Sequence, residues 1–299
     1  MFEEFEVKYI DAGGVSIFLR MAGSGPPLLL LHGFPQTHLM WRLVAPALAR
    51  TFTVVCADLP GYGKSGAPPP SPDHALHSKR AMAADLIGVM GALGFGKFMV
   101  AGHDRGGRVA YRMALDHPEK ISMLAVLDIV PTDIAWDRAD DRFALAFWPW
   151  SLLAQPEPLP ERLILSCPEA MVDNALDAWG SDAEAFPPEV RAAYVDALRD
   201  PERAHAICEE YRAAATLDRD HDAADRRSGR RIPCPVLALW SSSGGVASWY
   251  SGEGGPLGLW RLWADDTRGH ELKGGHFFPE EAPEETIAAL SAFFTTRSE

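Results

Sequence analysis

The chain reads as an α/β fold: a mostly parallel sheet flanked by helices, with a helical cap inserted into it. Three observations predict this. Strand and helix patterns alternate through the first half of the 299 residues. A helical, aromatic block then runs from about 132 to 225 without any strand pattern. A strand pattern returns after it, and a last helix follows. Alternation of this kind builds a parallel sheet with helices on both faces. The expected organisation is therefore a core formed by residues 1–131 and 226–299, with a cap at 132–225.

Gly13 to Arg20 and Leu28 to Leu31 read as strands, the second belonging to an apolar run that begins at Pro27. His38 to Ala49 places apolar residues at helical spacing. Thr53 to Ala57 is a strand, Ser78 to Leu93 an amphipathic helix and Phe98 to Ala101 a short strand. Arg105 to Asp116 follows as a helix and Met123 to Leu127 as a strand. The helical block carries Trp136, Phe143, Phe147, Trp148, Trp150, Trp179 and Tyr211, punctuated by prolines at 149, 156, 158, 160, 187 and 188. The charged stretch Leu217 to Arg231 is expected to be a solvated helix or linker returning to the core. Pro235 to Trp240 then reads as a strand and Ala282 to Phe294 as the final helix.

Composition narrows the function. The formal net charge is -13, which argues against nucleic acid or an anionic membrane surface as partner. It does not exclude an anionic substrate, because nearby positive groups outweigh a distant field screened over ~8 Å. No apolar run approaches the ~20 residues that a membrane helix needs. Met1 to Val7 is acidic and lacks a signal-peptide core, so a cytoplasmic protein is expected. Cys56, Cys167, Cys208 and Cys234 have neither metal-ligand nor disulfide-framework spacing. They read as small buried hydrophobes in a reducing compartment.

The most informative segment is Met99-Val100-Ala101-Gly102-His103-Asp104-Arg105-Gly106-Gly107. It follows a strand and opens a helix in the form G-x-nucleophile-x-G, with Asp104 at the central position. Glycines permit the sharp turn that lifts one side chain above the sheet, where the helix N-terminus favours a carboxylate. An ordinary N-cap Asp is the plainer alternative. Leu31-His32-Gly33-Phe34-Pro35 follows an apolar strand, and a turn of this kind can supply a backbone N–H to an oxyanion hole; a plain strand-to-helix turn is the alternative. The partner donor is expected to be the N–H of Arg105.

His276, in Gly274-Gly275-His276-Phe277-Phe278-Pro279, lies in a loop before the last helix and completes the order nucleophile, acid, His. It is one of ten histidines, so position rather than rarity selects it. The acid is expected at Asp128, which closes the strand Met123 to Leu127. The strand Pro235 to Trp240 runs into Ser241-Ser242-Ser243-Gly244-Gly245, with no carboxylate before Glu253. A carboxylate in the apolar setting of Asp128 needs a partner, and a histidine that it orients would be one. A nucleophilic Asp displaces a leaving group from an sp³ carbon as an ester, which a His-activated water then cleaves. Dehalogenation and epoxide opening both fit.

At this point the sequence resembles the fluoroacetate or haloacetate dehalogenase family of the α/β-hydrolases, over nearly the whole chain. Gly102-His103-Asp104-Arg105-Gly106-Gly107-Arg108 is the most specific stretch. Support comes from His32-Gly33-Phe34-Pro35-Gln36-Thr37, Asp58-Leu59-Pro60-Gly61-Tyr62-Gly63, Ala154-Gln155-Pro156-Glu157-Pro158, Ile207-Cys208-Glu209-Glu210-Tyr211-Arg212 and Gly275-His276-Phe277-Phe278. The resemblance implies Asp104 as nucleophile, His276 as base, Asp128 as its orienter, and Phe34, Arg105, Arg108, Trp150 and Tyr211 as substrate-binding residues. Arg105 and Arg108, three apart on a helix, share one side and suit a carboxylate. Trp150 and Tyr211 match two of the family's halide donors, but Pro149 stands where the third, a histidine, is expected. Proline offers no donor, so chloroacetate and bromoacetate are expected to outrun fluoroacetate.

The partners implied are a small anionic haloacid, water and the released halide. No metal or organic cofactor is implied, and the family suggests a homodimer. Two alternatives stay open. An epoxide hydrolase would share Asp104, His276 and Asp128 and would use two tyrosines of the block, Tyr194 and Tyr211. A non-catalytic ligand-binding homologue would keep the scaffold alone.

Overall fold

The computed structural model describes residues 2, 4–180 and 182–296. Of the acidic N-terminal stretch, Met1 and Glu3 lie outside the described residues. Eight strands form one sheet: β1 (Glu6–Ala12), β2 (Val15–Ala22), β3 (Pro27–Leu31), β4 (Thr53–Ala57), β5 (Phe98–His103), β6 (Ile121–Leu127), β7 (Val236–Ser241) and β8 (Thr267–Leu272). Their spatial order is β1-β2-β4-β3-β5-β6-β7-β8. The β1–β2 and β2–β4 pairs are antiparallel, and every later pair is parallel. This is the α/β-hydrolase arrangement.

Side-chain alternation along the central strands divides the interior in two. Leu29, Leu31, Val55, Ala57 and Val100 point into the core on one face. Leu28, Leu30, Val54, Cys56, Met99 and Ala101 point into the core on the other. Because helices cover both faces, β3 to β6 are apolar at nearly every position. The helices Lys79–Ala92 and Asp104–Asp116 pack together on the first face. The helix Pro283–Phe294 lies on the second, against Ala45–Leu48.

Three sequence expectations need correction. β1 is a strand beyond those expected: at this sheet edge Val7, Tyr9 and Asp11 face solvent while Lys8 and Ile10 are half-buried, so no apolar-in, polar-out alternation marks it. The stretch His38 to Ala49 is not one helix. Thr37 caps a 3-10 turn at His38–Trp41, and a separate helical turn, Ala45–Leu48, follows. Pro46 separates them, since its ring clashes with the carbonyl four residues back and it has no N–H to donate. The third concerns the charged stretch after Leu217. It is a helix, Leu217–Ser228, but its Asp218, Asp222 and Asp225 are buried rather than solvated.

Between β6 and β7 the described residues contain helices and no strand. Its prolines start helices more than they break them. Pro149, Pro160, Pro168, Pro188 and Pro201 sit in first turns, where a missing N–H costs no helical bond. Among the described residues no helix is long and apolar enough to cross a membrane. Cys56, Cys208 and Cys234 are buried, Cys167 is exposed, and all four are free thiols.

Candidate active site

Asp104 is the first residue of its helix and has φ +45°, in the left-handed region. For a residue with a Cβ this conformation costs roughly 1–2 kcal/mol, so the surroundings must enforce it. They do so through close backbone approach. A Cβ on Gly102 would lie 2.3 Å from the Gly106 carbonyl oxygen, and one on Gly33 would lie 2.4 Å from Cβ of Asp104. Glycine at both places lets β3, β5 and the helix converge beneath the carboxylate. The Phe34 N–H donates to Asp104 Oδ1 at 2.9 Å. The Arg105 N–H, expected as a second donor there, is not among the carboxylate's hydrogen-bond partners in the described residues.

Asp128 closes β6 and has φ +53°. Its Oδ1 accepts the Ser241 N–H at 2.9 Å, and its Oδ2 lies 2.6 Å from His276 Nδ1. An ionised Asp128 accepts the Nδ1 proton, which leaves Nε2 of the neutral imidazole free to take another. Burial pulls the His276 pKa down, but the Asp128 hydrogen bond and the charges of Asp128 and Asp104 outweigh it, so the net shift is upward. Burial likewise opposes the Asp104 charge, yet His276, Arg105 and Arg108 together hold that carboxyl below its ordinary range. The His276 backbone is pinned from two sides. Its N–H donates to the Trp179 carbonyl at 2.7 Å, and its carbonyl meets His103 Nε2 at 2.8 Å. Burial and the neighbouring His276 push His103 down to about 4, so His103 is neutral and its Nε2–H donates to the His276 carbonyl.

Asp104, Asp128 and His276 open onto one cavity of about 310 Å³. Phe147, Pro149, Trp150, Trp179, Tyr211 and Trp249 give it an apolar wall. The indole N–H of Trp150 and the hydroxyl of Tyr211 have no hydrogen-bond partner among the described residues. Arg105 and Arg108 are buried rather than on the helix exterior; neither lines the cavity itself, but both pack on aromatic rings that do. The Arg105 guanidinium lies over the rings of Tyr211 (4.0 Å) and Trp150 (5.1 Å), and that of Arg108 over Trp150 (4.4 Å). Arg108 donates through Nη1 to the Val130 carbonyl at 2.9 Å and to Thr132 Oγ1 at 3.1 Å. Among the described residues it has no acidic partner, and burial together with the Arg105 charge lowers its pKa. Arg105 Nη1 and Arg108 Nε are buried N–H groups without an acceptor.

Tyr194, the second tyrosine of the epoxide alternative, is not part of this cavity wall. Its hydroxyl donates to Glu280 at 3.1 Å, and the residue is fully buried. Several neighbours of the site were assigned no role from sequence: His103, the Trp179 carbonyl, the Ser241 N–H, the wall at Ser243 to Trp249, and Glu210, which pairs with Arg105. The one sequence signal among them is Glu209-Glu210, two acids together on a buried helix beside Tyr211.

Comparison with known proteins agrees with this fold. The family profile for the alpha/beta hydrolase fold matches residues 26–283. A fluoroacetate dehalogenase from a Burkholderia species is 44% identical over 296 residues, 99% of this chain and 95% of that protein. A soluble epoxide hydrolase from a Corynebacterium species is 32% identical over 289 residues, 91% of each chain. A solved structure assigned to the alpha/beta hydrolases, from Nostoc sp. PCC 7120, superposes with a TM-score of 0.95 at 48% identity, covering 99% of this chain and 100% of that one. An eight-stranded sheet of this order, matched over most of its length by the fold profile and over nearly all of it by a dehalogenase, places the chain in the alpha/beta-hydrolase superfamily, as a member of its haloacetate (fluoroacetate) dehalogenase family.

Proposed function

We propose that this protein hydrolyses small haloacids, converting a haloacetate to glycolate and halide through an ester on Asp104. The observation that carries the proposal is a pairing of opposites at the start of the helix Asp104–Asp116: Asp104 lines the cavity, and Arg105 and Arg108 lie next to it rather than on its wall. A carboxylate kept ionised stands at the strand-to-helix turn, and two buried guanidinium N–H groups nearby lack acceptors. A neutral substrate would leave those donors unsatisfied, at roughly 1–3 kcal/mol each. A substrate carboxylate would satisfy them and would be held against the repulsion of Asp104.

In this mechanism an Asp104 oxygen attacks the halide-bearing carbon. The C–O bond forms as the C–X bond breaks, and the halide leaves with the electron pair toward the Trp150 N–H and the Tyr211 hydroxyl. His276, oriented by Asp128, then takes a proton from water through Nε2. The resulting hydroxide attacks the Asp104 carboxyl carbon. The Phe34 N–H, already on an Asp104 oxygen, is placed to stabilise the tetrahedral oxyanion. Collapse breaks the bond to the glycolyl oxygen, which takes the proton back from His276. Asp104 is regenerated as a carboxylate with one oxygen from water once it releases the second water proton to solvent, which balances the departed halide.

The epoxide reading draws on the Corynebacterium relative but would need a second ring-opening acid, and Tyr194 is committed to Glu280 away from the cavity. Pro149 lines the cavity and has no side-chain donor. One donor fewer for a departing fluoride raises the barrier by about 1.5–3 kcal/mol, or ten- to a hundredfold in rate. Halide release is therefore expected in the order bromoacetate and chloroacetate above fluoroacetate, and none from Asp104→Ala. Pro149→His should raise fluoroacetate turnover selectively, since proline in a helix's first turn gives up no hydrogen bond when replaced. Fluoroacetate turnover equal to chloroacetate would refute the halide-pocket assignment. A single turnover in heavy-oxygen water that labels glycolate but not Asp104 would refute the ester.

A further inference from the structure

Arg105 is held on the side away from its unsatisfied nitrogen. Glu210 Oε1 accepts from Arg105 Nε at 2.9 Å and from Nη2 at 2.5 Å, and Glu210 Oε2 accepts from Nε at 3.0 Å. Oε2 also receives the Tyr62 hydroxyl at 3.2 Å. Lys79 Nζ is ion-paired with Glu210 and lies 3.4 Å from Asp218, whose other oxygen accepts the Lys79 backbone N–H at 2.9 Å. All five side chains are buried. Read along the chain of contacts, acidic and basic side chains alternate: Asp218, Lys79, Glu210, Arg105. They come from four helices and from the turn after β4.

Stability is a poor explanation for such a cluster, because well-packed apolar residues of the same volume are often equally stable. Geometry is a better one. With the Nε and Nη2 edge clamped and the Tyr211 and Trp150 rings against its faces, the guanidinium has no free rotation left. Its remaining donor, Nη1, is buried and lacks an acceptor. Glu210 and Tyr211 are consecutive on the helix Pro201–Ala215, so one segment supplies both the clamp and a ring. We propose that Glu210 is a positioning residue: by holding the far edge of Arg105 it presents the Nη1 donor to the substrate carboxylate. The inference rests on the haloacid reading above.

A competing role for Glu210 is to cancel the Arg105 charge. The two roles respond oppositely to two conservative changes. Glu210→Asp keeps the charge but withdraws the carboxylate by about 1.5 Å, one C–C bond length. Glu210→Gln keeps the reach and one acceptor oxygen but removes the charge. Positioning predicts that Glu210→Asp raises KM for chloroacetate about tenfold or more with kcat within about threefold, while Glu210→Gln keeps KM within about threefold. In an Arg105→Leu background both changes should fall silent. The dissociation constant of glycolate, read by calorimetry, should follow the same ranking without any turnover. A wild-type KM in Glu210→Asp, a larger change in Glu210→Gln, or effects that persist in the Arg105→Leu background would each overturn the proposal. If wild type released no halide from any haloacetate but glycolate binding still weakened in Glu210→Asp, the reaction assignment would fail and the clamp would stand. Loss of both would sink both.

Discussion

At the scale of single residues, the site is tuned by who is charged next to whom. Free His276 is pushed above the ordinary 6.5 against the pull of burial, partly by the Asp104 charge. In the proposed ester that charge is gone while the Asp128 hydrogen bond remains. The imidazole should therefore be easier to deprotonate in the intermediate than in the free protein. A base works only when neutral, so ester hydrolysis is lost as pH falls through the imidazole pKa of the intermediate. The His276 ring of free protein, followed by NMR, is expected to titrate above 6.5. The acid limb of single-turnover ester hydrolysis is expected at lower pH than that. A limb at or above the free-protein value would mean that Asp104 keeps its charge during the step and is not esterified.

This residue-level chemistry was also where the sequence spoke most clearly. Asp104 and Asp128 each directly follow a strand and His276 follows a Gly-Gly turn, local patterns that can be read without knowing the fold. The commitments of Arg105 could not be read that way. Its partner Glu210 is 105 residues away, and a guanidinium on a helix says nothing about which far element will meet it.

At the scale of elements, the long-range ties are polar and buried. Glu280, on the short helix after His276, is paired with Arg42, accepts from Gln36 and receives the Tyr194 hydroxyl. Arg42 also donates to the Ala185 carbonyl at 2.6 Å. Residues from the sheet's loops and from the helical block thus meet on one carboxylate. Burial lifts Glu280 to about 7 in spite of Arg42, so it depends on each donor it has. Tyr194→Phe removes one hydrogen bond to a buried acid and should lower stability by about 1–2 kcal/mol. Because Tyr194 is absent from the cavity wall, chloroacetate kcat/KM should stay within about twofold of wild type. A hundredfold loss of activity without a change in melting temperature would instead give Tyr194 a direct chemical role and reopen the epoxide reading. Element boundaries were legible wherever caps and apolar runs coincide. Ser78 accepts from the Ala81 N–H at the start of Lys79–Ala92, and the β3 run Pro27–Leu31 is continuous. They failed where tertiary context decides. The Asp face of Leu217–Ser228 looks solvated in sequence, yet Asp222 takes the Tyr111 hydroxyl at 2.7 Å and Asp225 pairs with Arg112 at 2.5 Å.

At the scale of the whole molecule, the question is whether the helical block behaves as a separate unit. In sequence it reads as a cap inserted into one core, set apart by its helical, aromatic texture. Its contacts tie it to that core. Glu210 with Arg105, Asp218 with Lys79, Asp222 with Tyr111, Asp225 with Arg112 and the Trp179 carbonyl with His276 all cross from the block to the sheet and its helices. Each joins buried groups that would be stranded if the block opened alone. A buried ion left unpaired costs roughly 3–5 kcal/mol, so independent melting would have to bear several such penalties at once. That total is comparable to the whole stability of an ordinary domain, roughly 5–15 kcal/mol. A single cooperative transition is therefore expected. Helical circular dichroism, which weights the block, and fluorescence of the nine tryptophans, which are shared between block and core, should lose signal at the same urea concentration. Halide release should disappear at that concentration too. Two resolved transitions, with helical signal lost first and core fluorescence retained, would show that these ties are weaker than their burial implies and that the block is a domain in its own right.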